Sequence, residues 1–371
     1  MNPLMPIALV ATMTASSLAS DATFYLGTYT KSGKSQGIYL GKLDTETGRL
    51  GPLELAGEAK SPSFVALSPS GKALYASIED GGGSVGAFAV GADGKLTALN
   101  VQPAGGPGTC HVWVDATGTK VLAANYSGGS IAVFDARADG SLGERTAFVQ
   151  FEGSGPDQAR QKKSYGHSIY TDATNRFVYS CDLGSDNVWS FQFDAGKGTL
   201  TPTTPPSGTV PPGAGPRHFA QHPNGRFAYA NNEMGLSVTA FARDPATGVL
   251  TALQTLPTVP EGTERQGVST AEIFTHPTGK WLYVSNRGHD TIAVYAIGAD
   301  GTLTWIENAP AMVKVPRGFG IDQSGRWLVT AGQNDNRIAV LKIDPATGKL
   351  TATDQSAEVG SPVCVLFAPA K

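Results

Sequence analysis

Residues 215–250 read GPRHFAQHPNGRFAYANNEMGLSVTAFARDPATGVL. A short apolar strand around Phe219 meets an Asn-Gly turn at Asn224 and Gly225. A second apolar strand follows from Phe227 and ends on the polar Asn231, Asn232 and Glu233. After a short gap a third strand begins near Ser237, and the unit closes on Asp244, Gly248 and Leu250. Brief alternating runs separated by Gly, Asn and Asp turns are the signature of antiparallel strands.

The same order of strand, turn, strand, gap, strand and D-x-x-G-x-L returns from Ser61, Gly108, Tyr165, Ser269 and Val315. With Gly71, Gly118, Asn175, Gly225, Gly279 and Gly325 as turn markers, the spacings are 47, 57, 50, 54 and 46 residues. A period near fifty with room for a fourth strand matches the blades of a β-propeller. No helical period interrupts it. The ends complete the pattern. SPVCVLF at 361–367 looks like a first strand with nothing after it, and FYLGTYTKSGKSQGIYLGKL at 24–43 looks like a unit lacking its first strand. Joined, they make a seventh blade whose innermost strand comes from the C-terminus, which removes an exposed sheet edge. The expected fold is all-β: one seven-bladed propeller of four-stranded antiparallel blades over residues 21–371. An open β-solenoid is the rival, and the split end units argue against it.

Composition agrees. The 371 residues are 40 % hydrophobic but only 16 % charged, and 46 are glycine, as suits a turn-rich protein with a mildly charged surface. A length that would suggest two or three domains is here one repeat array. Twenty-eight basic against 31 acidic residues give a net charge of −3, which offers no field for nucleic acid. No apolar run reaches the roughly 20 residues of a spanning helix, so no membrane insertion is expected. A monomer or weak oligomer is expected.

Residues 1–20, MNPLMPIALVATMTASSLAS, differ from the rest. Their apolar centre and the small residues Ser17 and Ala19 before a cleavage point read as a signal peptide, and so as a periplasmic or secreted protein. The reading is cytoplasmic if that segment is retained. Cys110, Cys181 and Cys364 show no paired or zinc-binding spacing and read as buried small hydrophobes. No metalloprotease or zinc motif is present, and no metal or cofactor is expected.

Strand geometry sorts the polar residues. The start of each innermost strand and the exit of the antiparallel second strand meet at one mouth of the channel. Counting back from the turn markers places His167, Arg217 and Arg317 in one column, and His111, His218 and Glu272 in the next. Counting forward places Glu233 and Arg287 at the exits. Three of the six histidines lie in these columns. Alternation lets only one of Arg217 and His218 point to the axis. His111 and Glu272 are read as ligand-binding groups or as caps of backbone amides, and Arg317 as a ligand anchor or the partner of a blade carboxylate. His222 and His276, in His-Pro turns, are read as structural, and His289 as a turn residue.

GHSIYTDATNRFVYSCDLGSDNV, GPRHFAQHPNGRFAYANNE, AEIFTHPTGKWLYVSNRGHDTIAVY and PRGFGIDQSGRWLV resemble the seven-bladed propeller lactonase family over residues 23–368. That family includes propeller-type 6-phosphogluconolactonases and the fungal carboxymuconate cyclase. The resemblance implies a site of one His, two Arg and one Glu at the channel mouth, falling on His167, Arg217, Glu233 and Arg287. These are the residues the column count reaches. It further implies hydrolysis of a sugar-acid lactone, with His167 as base, Glu233 orienting it or serving as acid, and the arginines anchoring the substrate. His111, Glu272, Arg317 and His218 then contribute to substrate binding. Two alternatives stay open: lactone formation as in the cyclase branch, and an exported propeller that only binds an anionic ligand or protein.

Overall fold

In the computed structural model, which describes residues 21–369, every repeat unit is an antiparallel sheet of four strands, and seven such sheets hold twenty-eight strands. The segment read as a signal peptide lies outside the described residues. The leucine of D-x-x-G-x-L opens the fourth strand in five of the blades, at Leu96, Leu142, Leu250, Leu303 and Leu350. The turn markers adopt the left-handed conformation, and Asn175 (φ 58°) does so where the other units have glycine. Asn tolerates this region because its short side chain bonds locally.

The first blade is shared between the chain ends. β28 (Pro362–Phe367) is its innermost strand and pairs with β1 (Asp21–Thr28), Leu26 opposite Val365, ahead of β2 (Gly37–Asp44) and β3 (Glu54–Glu58). The remaining innermost strands are β4 (Pro62–Leu67), β8 (Thr109–Val114), β12 (Gly166–Thr171), β16 (Pro216–Gln221), β20 (Ser269–Thr275) and β24 (Pro316–Ile321). Each packs beside the next around the channel, and β28 sits between β24 and β4. The ring is closed.

The core lies between blades rather than within one. Phe24 and Leu26 of β1 pack on Trp327 and Val329 of the seventh blade, all but fully buried. At roughly 1.5–3 kcal/mol per large apolar side chain removed from water, these interfaces are the main source of cohesion. Polar links reinforce them: His222 Nε2 bonds to the Gly279 carbonyl at 2.8 Å and His276 Nε2 to that of Gly325 at 2.9 Å. Both residues are structural, as expected.

One irregularity recurs. In β16, Pro216 pairs with Asn232 and His218 with Asn231, leaving Arg217 as the extra residue of a β-bulge. The same slip skips Ser63, Cys110, His167 and Arg317 in their strands. A bulge kinks the strand and re-aims side chains, here at the mouth of the channel in these five blades around one axis.

A chain ended at Gly360 would leave β1 as a bare edge inside the ring. Circular dichroism melting is expected to show loss of the cooperative transition. A sharp transition at the full-length temperature would mean closure by β28 is dispensable.

Candidate active site at the channel mouth

The bulged residues and the second-strand exits converge. β17 (Phe227–Asn232) delivers Glu233 just past its end, where the Glu233 amide donates to the Gly215 carbonyl at 2.7 Å. The corresponding amides of Tyr29, Glu79 and Tyr126 are tied back in the same way, so the exit residues sit on fixed backbone. β21 (Trp281–Arg287) ends on Arg287 itself. Together they surround a cavity of about 410 Å³ whose walls include His167, Glu233, Arg287, Arg317, Glu79 and Tyr126.

Glu233 is the hub, 7 % exposed. Its Oε1 accepts from Arg160 Nη2 at 2.6 Å, and its Oε2 receives Arg217 Nε at 3.1 Å and Arg287 Nη2 at 3.0 Å. Burial alone would raise its pKa, but Arg287, Arg217 and Arg160 overcome it and bring the carboxyl down to about 2. Glu233 is therefore an ionised carboxylate at any physiological pH and holds no proton to donate. The acid role open to it in the sequence does not fit this electrostatic setting, and what Glu233 holds in place is the three guanidiniums rather than the His167 ring. His167 Nε2 lies 3.9 Å from Oε2, beyond hydrogen-bond distance. Burial, and then the nearby Arg217, drive the His167 pKa well below the usual imidazole value, so the ring is neutral. Tyr126 meets the imidazole edge-on, and the Cys110 sulfur lies 3.8 Å from Nδ1.

Arg317 faces the cavity from the opposite wall. Its guanidinium lies over the Tyr29 ring at 5.4 Å, and Tyr29 shares a hydrogen bond with Glu79. It is a wall group held by an aromatic face. Beneath this level, His218 Nδ1 is 2.6 Å from Glu272 Oε1, and both side chains are buried. Burial raises the Glu272 carboxyl to about 8 despite Arg217 and Arg317 nearby. The expectation that only one of Arg217 and His218 points inward is corrected here. Both line the space under the floor, because the bulge at Arg217 breaks strict alternation. His111 does not reach either space. It is 0 % exposed, tilted against Phe64 at 4.1 Å, and its Nδ1 accepts from the Ile169 amide at 3.3 Å. His289 caps its own turn through Thr291 at 2.7 Å. All three cysteines are buried and free.

Arg160 escaped the sequence reading because it lies in the 151–165 connection, outside any strand column. Its only signal was the 57-residue spacing, the longest of the series, which marks an insertion in the third unit carrying the basic run Arg160 to Lys163. Tyr29 and Glu79 were in the exit column without being singled out.

Residues 23–367 match the model of the family described as lactonase, 7-bladed beta-propeller. The chain belongs to that family. This lactonase-family chain is 36 % identical over 347 residues to a 6-phosphogluconolactonase of Bacillus subtilis, covering 92 % of this chain and 97 % of the relative. It is 32 % identical to a 6-phosphogluconolactonase of Formosa agariphila, over 89 % of this chain and 95 % of that protein. Among solved structures, the periplasmic gluconolactonase of Pseudomonas aeruginosa superposes with a TM-score of 0.88 at 28 % identity, over 95 % of this chain and 100 % of that one.

The hub makes a prediction about stability. Because the folded pKa of Glu233 lies below its ordinary value of 4.5, its contribution is complete above about that pH and drains as pH falls towards 2. Glu233→Gln leaves buried guanidinium charge uncompensated, and urea unfolding at neutral pH is expected to show a loss on the order of 3 kcal/mol. The gap to wild type should narrow on acidification below about pH 4.5. A gap independent of pH would contradict the assignment.

Proposed function

We propose that this protein hydrolyses the ester bond of a sugar-acid lactone, as a 6-phosphogluconolactonase-like enzyme, in the cavity at the channel mouth. The observation that carries the reading is a neutral imidazole, His167, near a carboxylate, Glu233, held ionised by three guanidiniums, with His167, Glu233 and Arg287 lining one space. A cavity of about 410 Å³ suits a single small molecule. The similarity to proteins named 6-phosphogluconolactonase and gluconolactonase supports the same substrate class.

Ester hydrolysis needs an activated water, a stabilised oxyanion and a proton for the departing alkoxide. His167, neutral at working pH, accepts the proton of the attacking water. Arg287 and Arg317 present forked donors to the cavity, suited to the carbonyl oxygen as it gains charge and to an anionic substituent on the sugar. Glu233 fixes Arg287 and Arg217 in position and offsets their mutual repulsion. His218 and Glu272 act below the floor. A signal peptide over residues 1–20 would make the protein periplasmic or secreted, where an unphosphorylated lactone is the more accessible substrate. The relative from Pseudomonas aeruginosa is itself named periplasmic.

Acid release followed by pH-stat on δ-gluconolactone and its 6-phosphate, with aldonolactones of other ring sizes, tests this reading. His167→Ala is expected to lower kcat by about a hundredfold or more with the melting temperature little changed. Wild-type turnover in that variant would remove His167 from the chemistry, and no acceleration by wild type on any lactone would remove the function.

A further inference from the structure

Ester cleavage leaves an alkoxide that must be protonated, and neither of the two acid–base residues assigned to the upper cavity supplies that proton in the reading above. Glu233 is ionised and His167 is occupied as the base. The layer beneath has a different character. A space of about 10 Å³ lies under the floor, faced by Arg217, His218, Glu272, Glu79, Cys110 and Arg317. That volume is about what one water needs, and the walls are polar enough to hold it. Glu79, Cys110 and Arg317 also line the main cavity, so the two spaces share a wall.

His218 links this space to a carboxyl. Its Nδ1 is 2.6 Å from Glu272 Oε1, and its Nε2 is buried with no hydrogen-bond partner among the described residues. A buried ring nitrogen left unpaired is costly, and a water in the adjoining space would satisfy it.

We propose that Glu272 and His218 form a buried proton relay, opening through one water onto the main cavity beside Glu79 and Arg317, that delivers the proton to the departing alkoxide. The proposal rests on the hydrolysis reading above. As the ring C–O bond breaks, its electron pair stays on the departing oxygen, which takes a proton from the relay water. That water takes the Nε2 proton of His218, and the Glu272 carboxyl proton moves to Nδ1. His218 ends neutral with its proton on the other nitrogen, and Glu272 ends as a carboxylate. The proton that His167 took from the attacking water returns through solvent to Glu272, while the new carboxylic acid ionises to solvent. Both residues act through the water and are positioning residues.

The charged and titratable groups facing the pair are consistent with this role. Glu272 sees Arg217 and His218 from β16, Arg317 from β24, Tyr170 from β12 and Cys364 from β28. His218 sees the rings of His111 and His167 and the charges of Arg217, Arg317, Arg287 and Glu233. Burial outweighs the two arginines at Glu272, whose carboxyl keeps its proton up to about pH 8.

The sign follows. Delivery fails as pH rises through about 8, so wild-type kcat on an aliphatic lactone should fall there. An aryl lactone such as dihydrocoumarin, whose phenolate leaves without protonation, should show no such alkaline limb. Glu272→Gln keeps the shape but holds no transferable proton. It is expected to lower kcat on δ-gluconolactone about a hundredfold, with KM unchanged and the alkaline limb gone, while sparing the aryl lactone. Infrared titration of the wild-type protein should show a protonated carboxyl band lost near pH 8, which needs no variant to fold. Absence of that band, or an alkaline limb shared by both lactones, overturns the relay. So does a folded Glu272→Gln that slows both lactones equally. A wild-type protein inert on every lactone overturns the hydrolysis reading instead, and is told apart by that inertness.

Discussion

The pairing of β28 with β1 is the constraint on which the rest depends. Without it the seven sheets form an open arc with two raw edges, and the residues that meet at the channel mouth come from blades with no fixed relation. With it, each innermost strand begins at the same end of one axis. Arg217 of β16 and His167 of β12 then face Arg317 of β24 and Glu79 past the end of the second blade's second strand. The register that closes the ring, Leu26 opposite Val365, also buries those strands against Trp327 and Val329. Closure and cohesion are the same event.

Two carboxyls in this channel are buried almost equally, yet they end in opposite states. Glu233 is 7 % exposed and Glu272 3 %. Desolvation works on both to favour the neutral form. Glu233 is gripped by three guanidiniums within hydrogen-bond or ion-pair distance, so the carboxylate wins. Glu272 has an imidazole and one backbone amide as its direct partners, with the arginines farther off, so the proton stays. Environment divides one residue type into a charge anchor and a proton store. The neutral imidazole of His167 belongs to the same balance, since burial beside Arg217 makes its charged form costly.

Much of the site was legible because a repeat converts position into geometry. Turn residues such as Gly225 and Gly279 recur at nearly constant phase, so a fixed offset from each one lands on the same height of its blade. His167, Arg217, Glu233 and Arg287 were among the eight residues that counting collected, and the resemblance to the lactonase family singled them out. The method fails where the chain leaves the repeat. Arg160 reaches Glu233 from an irregular connection, for which no offset exists. It also fails where a strand departs from simple alternation. The bulge at Arg217 lets Arg217 and His218 face the same space, whereas His111 turns into the packing around Phe64.

The amino-acid sequence by itself determined the strand pattern, the count of blades and the join of the two chain ends. Those follow from local alternation, turn chemistry and period, which are properties of short segments. Tertiary structure alone decided which carboxyl is charged, which histidine meets the cavity and how Arg160 enters the site. These depend on distances between residues far apart in the chain and on how much water the packing excludes, and neither is written in any single segment.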